Sequence, residues 1–145
     1  MTDSPRPNSG ARSLIPGSVF VWYYLGVGSL LEGQPVAALA AFGRSPHECL
    51  RVTGQALAQH ALGQTTTAQE ALDELTLRFA TGWAYQIAQV YAWRGESDAA
   101  FEWLERALRQ RDGGLNQVKY EPLLRSLRGD PRYAAFLKKI NLPVD

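Results

Sequence analysis

The sequence contains few of the side chains that build metal sites, cofactor sites or disulfides. It has one cysteine, Cys49, and two histidines, His47 and His60, in 145 residues. A single cysteine excludes an intramolecular disulfide and suits a reducing compartment, which favours a cytoplasmic location. These three residues match no zinc-binding spacing and lack a fourth ligand. The sequence therefore predicts no metal site and no cofactor.

The motifs of common enzyme classes are also missing from the sequence. There is no Gly-x-Ser-x-Gly segment, no glycine-rich phosphate loop after a strand, and no histidine spaced to activate a serine. The adjacent acids Asp73 and Glu74 fit the solvent-facing side of a helix better than a pair of catalytic carboxylates. We therefore expect a protein that is not an enzyme.

A long apolar run and a strong net charge are absent as well. The net charge is +1, and the apolar tract at residues 19–31 has about 13 residues, whereas roughly 20 are needed to span a bilayer. Arg6 and Arg12 precede this tract, as they would in a signal peptide. The tract also carries the first copy of an internal repeat, and that interpretation is preferred. No membrane interaction is predicted.

The charges are nevertheless distributed unevenly. Residues 106–139 carry nine basic and three acidic residues, a local net charge of +6. A basic face can bind nucleic acid, but the sequence contains no recognised nucleic-acid-binding motif. Nucleic-acid binding through this region is therefore the weakest of the functional hypotheses.

The sequence does contain a helical repeat. Glycines at four regularly spaced positions are each followed five residues later by alanine: Gly33 and Ala38, Gly63 and Ala68, Gly95 and Ala100, Gly129 and Ala134. Apolar residues around these positions recur at helical spacing, which predicts two amphipathic helices in each full copy. A lone pair of such helices cannot bury its apolar faces, so the copies are expected to stack.

The repeat divides the chain into a tail and a domain. Residues 1–16 hold three prolines and few apolar side chains, and they are predicted to be a disordered tail. Pro122 interrupts the first helix of a fourth copy, which is therefore predicted to be a degenerate cap. The expected boundaries are a domain at 17–145, repeats at about 19–46, 49–79 and 81–112, and a cap at 113–142.

The repeat region, residues 19–142, resembles known tetratricopeptide repeats, and two parts of it carry the resemblance. The first copy contains Trp22-x-x-Leu25-Gly26 followed by Ala38-x-x-x-Phe42. The segments Tyr91-Ala92-Trp93-Arg94-Gly95-Glu96 and Gly129-Asp130-Pro131-Arg132-Tyr133 are similar to the C-terminal repeats of bacterial multidomain signalling proteins. The resemblance implies an all-α, right-handed α-α superhelix of about three helical hairpins plus a capping helix. It also implies that Trp22, Leu25 and Phe42 pack between paired helices, and that the protein interacts with other proteins.

In this arrangement the first helix of each pair lines a concave groove. The register places an apolar and aromatic set of side chains there: Tyr23, Tyr24, Val27, Leu57, His60, Tyr85, Gln86, Gln89 and Trp93. We expect a non-catalytic scaffold that binds a peptide or helical segment in the groove, with Tyr23, Tyr85 and Trp93 as anchors. The cationic residues with which some tetratricopeptide proteins hold chaperone C-terminal carboxylates are missing, so that ligand is not expected.

The N-terminal edge of the predicted stack supports an alternative hypothesis. The first helix is apolar nearly all round, and its own second helix covers only one side. Phe20, Tyr24 and Leu31 are then expected to form an apolar edge. In this alternative the edge drives homo-oligomerisation, and the role of the chain is structural.

Overall fold

A computed structural model describes residues 17–141, so the predicted tail at 1–16 lies outside the described part of the chain. Every regular element from residue 17 to residue 141 is helical. The α-helices are α1 (Val21–Leu31), α2 (Pro35–Gly43), α3 (Glu48–Ala61), α4 (Thr65–Arg78), α5 (Ala84–Trp93), α6 (Ser97–Arg109) and α7 (Pro131–Lys139). Shorter 3₁₀ helices span Gly17–Phe20, Gly113–Tyr120 and Pro122–Leu127. None of the helices described here has both the length and the apolar character needed to cross a membrane.

The helices pack in adjacent antiparallel pairs, α1 with α2, α3 with α4, and α5 with α6. Further contacts join α2 to α3, and α5 to both α3 and α4. The prediction of an all-helical domain made of stacked helix pairs is therefore confirmed.

The turn within each pair has the same structure. Gly33, Gly63 and Gly95 have φ angles of 78°, 79° and 79°, in the left-handed region that glycine adopts without strain. In each turn, the backbone N–H of the next residue donates to a carbonyl in the last turn of the first helix over 2.9 Å. This is the hydrogen-bonding pattern of a glycine-terminated helix. The repeated glycines are therefore explained by the turns.

Phe42 of α2 fixes the spacing between neighbouring helices. Its side chain is fully buried, and a Cβ atom added at either Gly26 of α1 or Gly54 of α3 would overlap its ring. Because protein interiors are close-packed, only glycine lets both helices approach the ring this closely. One aromatic side chain thus sets the packing of α1 and α3 against α2.

The chain between α6 and α7 forms no helix pair. Residues 113–127, which we call the C-terminal segment, make two 3₁₀ helices, of which the second begins at Pro122. The segment packs against α5 and buries five aliphatic side chains, Leu115, Val118, Leu123, Leu124 and Leu127. After it, the Asp130 carboxylate accepts a hydrogen bond from the backbone N–H of Arg132 and so caps α7.

Candidate interaction site

A buried chain of hydrogen bonds joins α1, α5 and the C-terminal segment. The Tyr23 hydroxyl donates to Gln89 Oε1 over 2.6 Å, and Gln89 Nε2 donates to Glu121 Oε1 over 2.8 Å. The second carboxylate oxygen of Glu121 accepts from the backbone N–H of Leu123 over 3.2 Å. All three side chains of this Tyr23–Gln89–Glu121 network are buried. The network ties the C-terminal segment to the face that was predicted to be an open groove.

Contacts outside the network hold the same segment in place. The Tyr24 hydroxyl donates to Gln117 Oε1 over 3.0 Å, and the Ser126 hydroxyl donates to the backbone carbonyl of Ala92 over 2.8 Å. At its start, a Cβ atom at Gly114 would overlap the ring of Tyr85, so the backbone passes directly over this ring. The segment is therefore fixed along its length by polar and apolar contacts.

Burial changes the proton affinity of the groups in the network. Burial raises the pKa of Glu121, because the charged carboxylate is less well solvated than in water, and hydrogen bonds from Leu123 and Gln89 only partly offset this. Burial also raises the pKa of Tyr23 well above its usual value, and the nearby Glu121 carboxylate acts in the same direction. The buried space between α1, α5 and the C-terminal segment therefore favours the neutral forms of these side chains.

The prediction that these side chains form an exposed groove is wrong for most of them. Six of the nine are buried, namely Tyr23, Val27, Leu57, Tyr85, Gln86 and Gln89. Tyr24 is exposed, and His60 and Trp93 are partly buried. The Trp93 indole N–H has no hydrogen-bond acceptor within the described part of the chain. Binding of a partner at these three residues stays a prediction.

The free energy needed to lift the C-terminal segment off α5 shows whether a partner could displace it. Exposing each of its five buried aliphatic side chains costs about 1.5–3 kcal/mol. The sum is similar to the whole stability of a typical domain, about 5–15 kcal/mol. A partner peptide would have to offset this cost in addition to its own ordering. We therefore treat residues 113–127 as a permanent part of the core.

Among the described residues, the largest group of exposed apolar side chains lies instead on the outer side of α1. Four of its side chains are 40–53% exposed, and we call them the α1 face: Val21, Tyr24, Leu25 and Leu31. Their spacing of three, four and seven residues places them on one side of a helix. Tyr24 and Leu31 were predicted at this edge. Phe20, the third predicted residue, is partly buried and stacks on Tyr24 with ring centroids 6.0 Å apart.

Val21 and Leu25 were missed by sequence analysis. The tetratricopeptide resemblance implied that Leu25 packs between paired helices, but its side chain is 53% exposed. Leu25 is exposed because α1 packs through its other side, where Tyr23, Val27 and Leu30 are the large side chains that it buries. The only sequence signal for the exposed face was that α1 is apolar nearly all round.

The later helix pairs show what normally covers this face. Counted from the repeated glycines, Gly54 of α3 and Ile87 of α5 correspond to Tyr24 and Leu25 of α1. Gly54 lies against Phe42 of the preceding pair, and Ile87 is fully buried in a helix that packs on α3 and α4. Neighbouring pairs therefore cover this side of α5 and the Gly54 position of α3, whereas Gln55 and Ala61, which correspond to Leu25 and Leu31, are exposed on α3. Of these three helices, α1 alone exposes large apolar side chains there.

Several C-terminal basic residues are engaged within the chain. Arg132 pairs with Asp98 and Asp130 over 3.0 and 2.8 Å, which holds the pKa of the Asp130 carboxyl below its usual value. Lys139 pairs with Glu105 over 2.8 Å. The Arg106 guanidinium lies 4.2 Å from the ring centroid of Trp103. Two of the nine basic residues between 106 and 139, Arg132 and Lys139, are thus paired with carboxylates, and nucleic-acid binding through this region stays a prediction.

Cys49 and His47 have different surroundings. Cys49 is buried, and burial raises the pKa of its thiol to about 12. The His47 ring packs against Trp83 with centroids 4.6 Å apart. Between residues 17 and 141, no three His, Cys, Asp or Glu side chains are grouped so that they could hold a metal ion.

The fold agrees with the coarse features of a tetratricopeptide repeat, namely short helices in stacked antiparallel pairs with glycine turns. It departs from a regular repeat array after α6, where two 3₁₀ helices fold back onto α5. The resemblance itself rests on residues of the first and third pairs and on the segment Gly129-Asp130-Pro131-Arg132-Tyr133, which leads into α7. In comparisons of the chain with protein-family models, with curated proteins and with solved structures, no match was found.

Proposed function

We propose that this protein is a non-catalytic interaction scaffold of the tetratricopeptide type, and that it binds a partner protein through the α1 face. One observation carries this proposal. The α1 face exposes large apolar side chains, whereas the corresponding residues of α5 are buried or partly buried, and the exposed ones of α3, Gln55 and Ala61, are polar or small. Contiguous apolar surface of this kind marks interaction sites in soluble proteins.

The chemistry of the first helix pair indicates the kind of partner. From residue 21 to residue 43 the chain carries one charged side chain, Glu32. The α1 face therefore offers apolar contact and no pattern of charges that would select a charged ligand. We expect the partner to present an apolar helix or strand rather than an acidic or basic peptide.

A small cleft extends this surface toward the C-terminal segment. It has a volume of about 200 Å³ and lies between Tyr24 and Val27 of α1 and four residues of the segment, Gln117, Tyr120, Glu121 and Pro122. Tyr120 is 76% exposed at its rim. An apolar side chain of a partner seated on the α1 face can enter this cleft, which adds a pocket at the edge of the face, of the kind that interaction hot spots use.

Site-specific photo-crosslinking in the native cells tests this proposal. A photo-reactive phenylalanine derivative replaces Leu25 in one variant and Leu77 in the control. Leu77 is a matched position, because it is an exposed leucine on α4, with 85% of its side chain accessible. We expect a discrete protein adduct from position 25 and none from position 77. Equal crosslinking from both positions, or none from position 25, would contradict the proposal.

A further inference from the structure

We infer that the partner of the α1 face is a second copy of this chain, bound through the same face. The inference rests on the proposed function and adds the identity of the partner. Three observations favour it: the lack of charge on the first helix pair, the hydrogen bond of the Tyr24 hydroxyl, and an unexplained glycine at the centre of the face.

Charged residues on a surface disfavour its association with an identical surface. In a two-fold interface each side chain lies near its counterpart or near residues of the same patch, so like charges meet and repel. The α1 face contains no charged residue, and Glu32, which follows α1, is the one charge between residues 21 and 43. Self-association is therefore free of this penalty. On α3 the residue that corresponds to Val21 is Arg51. The repeat therefore accepts a charged residue at this position outside the first pair.

The polar atom of the face is already satisfied. Tyr24 is the one member of the α1 face with a hydroxyl group, and this hydroxyl donates to Gln117 Oε1 over 3.0 Å. Covering the ring with another apolar surface would therefore leave no unpaired donor in the interface. Its ring also stacks on Phe20 and contacts the edge of the Tyr23 ring, which holds it in one orientation. The aromatic anchor is thus ordered before a partner binds.

Gly28 is the third observation. Inside a helix, glycine is about 0.8–1.0 kcal/mol less favourable than alanine, so a helical glycine usually has a packing reason. Gly26 and Gly54 have one in the ring of Phe42, but a Cβ atom at Gly28 would meet no described atom within 4 Å. Gly28 lies one turn from both Tyr24 and Leu31. Because Gly28 has no side chain, a second helix can approach the backbone of α1 closely at this place. The α1 helix of a second copy has the same glycine, so the two helices can approach each other closely there.

Analytical ultracentrifugation of the full chain over a concentration series tests the inference. We expect a monomer–dimer equilibrium for the wild type. Leu25→Glu places two carboxylates in the symmetric interface and is expected to raise the dissociation constant by about tenfold or more. Leu77→Glu makes the same substitution on α4 and should leave the equilibrium unchanged.

Gly28→Leu separates a packing role in the dimer from one in the monomer. Because the monomer has open space at this position, the variant should keep or increase its resistance to urea in dilute solution, where monomer dominates. Its dissociation constant should nevertheless rise by about tenfold or more. A rise in stability together with a loss of the dimer is a combination that a structural role of Gly28 in the monomer does not produce.

The remaining outcomes also decide the question. A wild type that stays monomeric at the highest soluble concentration overturns the inference, and so does a dimer unaffected by Leu25→Glu. A crosslinked adduct from position 25 with a mass other than twice that of the chain would leave the proposed function intact and reject the second copy. No adduct at all would reject both.

Discussion

The Tyr23 hydroxyl of α1 donates a hydrogen bond to the side chain of Gln89 in α5 over 2.6 Å, across 66 positions of the sequence. Gln89 in turn donates to Glu121 of the C-terminal segment. Because the side chains of Tyr23 and Gln89 are fully buried, water does not compete for the hydrogen bond between them. It links the first and third helix pairs directly, beneath the segment that closes the groove.

Loss of this hydrogen bond should destabilise the protein. Tyr23→Phe leaves Gln89 Oε1 buried without its donor, which we expect to lower the free energy of unfolding by about 1–3 kcal/mol. Urea denaturation monitored by circular dichroism measures the effect. Tyr120→Phe removes the same hydroxyl from a residue that is 76% exposed and should change stability by less than about 0.5 kcal/mol. Equal effects of the two substitutions would mean that the buried bond contributes nothing specific.

The raised pKa of Glu121 should appear as a dependence of stability on pH. The folded protein holds this proton more tightly than the unfolded chain, in which the pKa is near 4.5. Its contribution is therefore greatest below pH 4.5 and is lost as the pH rises through the folded-state value. Glu121→Gln stays neutral, so its stability relative to wild type should increase as the pH rises above about 4.5 and through the raised folded-state pKa of Glu121.

Above about pH 5, the difference in stability between Glu121→Gln and the wild type reports on Glu121 and not on the other carboxyl groups with shifted pKa values. Asp130 and Glu48 have lowered pKa values, so they are already ionised in this range and do not titrate. Urea denaturation of both proteins at each pH gives the difference in unfolding free energy. Parallel curves for the variant and the wild type would show that Glu121 does not carry the effect.

The C-terminal segment should behave as core. Leu124 is fully buried, and Leu124→Ala removes its contacts and leaves a cavity, at a cost of about 2–5 kcal/mol. Leu77→Ala makes the same change at a residue that is 85% exposed, and it should cost less than about 0.5 kcal/mol. Thermal melting of both variants measures the difference. A small effect at Leu124 would instead support a segment that leaves the groove readily.

The end of α6 contains a conformation that arginine adopts at a cost. Arg111 has φ 57° and occupies the place that glycine takes after α1, α3 and α5. The left-handed conformation costs a residue with a side chain roughly 1–2 kcal/mol. We expect Arg111→Gly to raise the unfolding free energy by about 1 kcal/mol. Arg109→Gly, within the last turn of α6, should lower it by a similar amount. Chemical denaturation of the two variants should therefore give shifts of opposite sign.

The spacing set by Phe42 should make α3 sensitive to the smallest side-chain addition. Gly54→Ala forces a methyl group onto the Phe42 ring, and we expect a loss of about 1–3 kcal/mol in spite of the better helix propensity of alanine. Gln55→Ala, at the next and exposed position, should be neutral or slightly stabilising. Denaturation midpoints compare the two, and an increase for Gly54→Ala would show that Phe42 can move aside.

The sequence by itself determined the helices and the turns between them. The recurrence of apolar residues at helical spacing predicted the helix pairs, and the glycines at 33, 63 and 95 predicted where the turns fall. Both features depend on residues within one or two turns of each other. Such local preferences act wherever the segment lies in the fold, so they can be inferred without knowing the neighbours.

Tertiary structure decided which surfaces are covered. The groove side chains were placed on the inner helices by the repeat register, but only the folded chain shows residues 113–127 lying over them. Pro122 predicted a departure from the repeat, yet no local pattern indicated that Glu121 would meet Gln89, 32 positions earlier. The exposure of Leu25 was likewise invisible, because Leu25 and its buried counterpart Ile87 are both apolar residues in apolar helices. Burial depends on contacts between segments that are distant in sequence, and a repeat pattern describes each pair without stating what lies on either side of it.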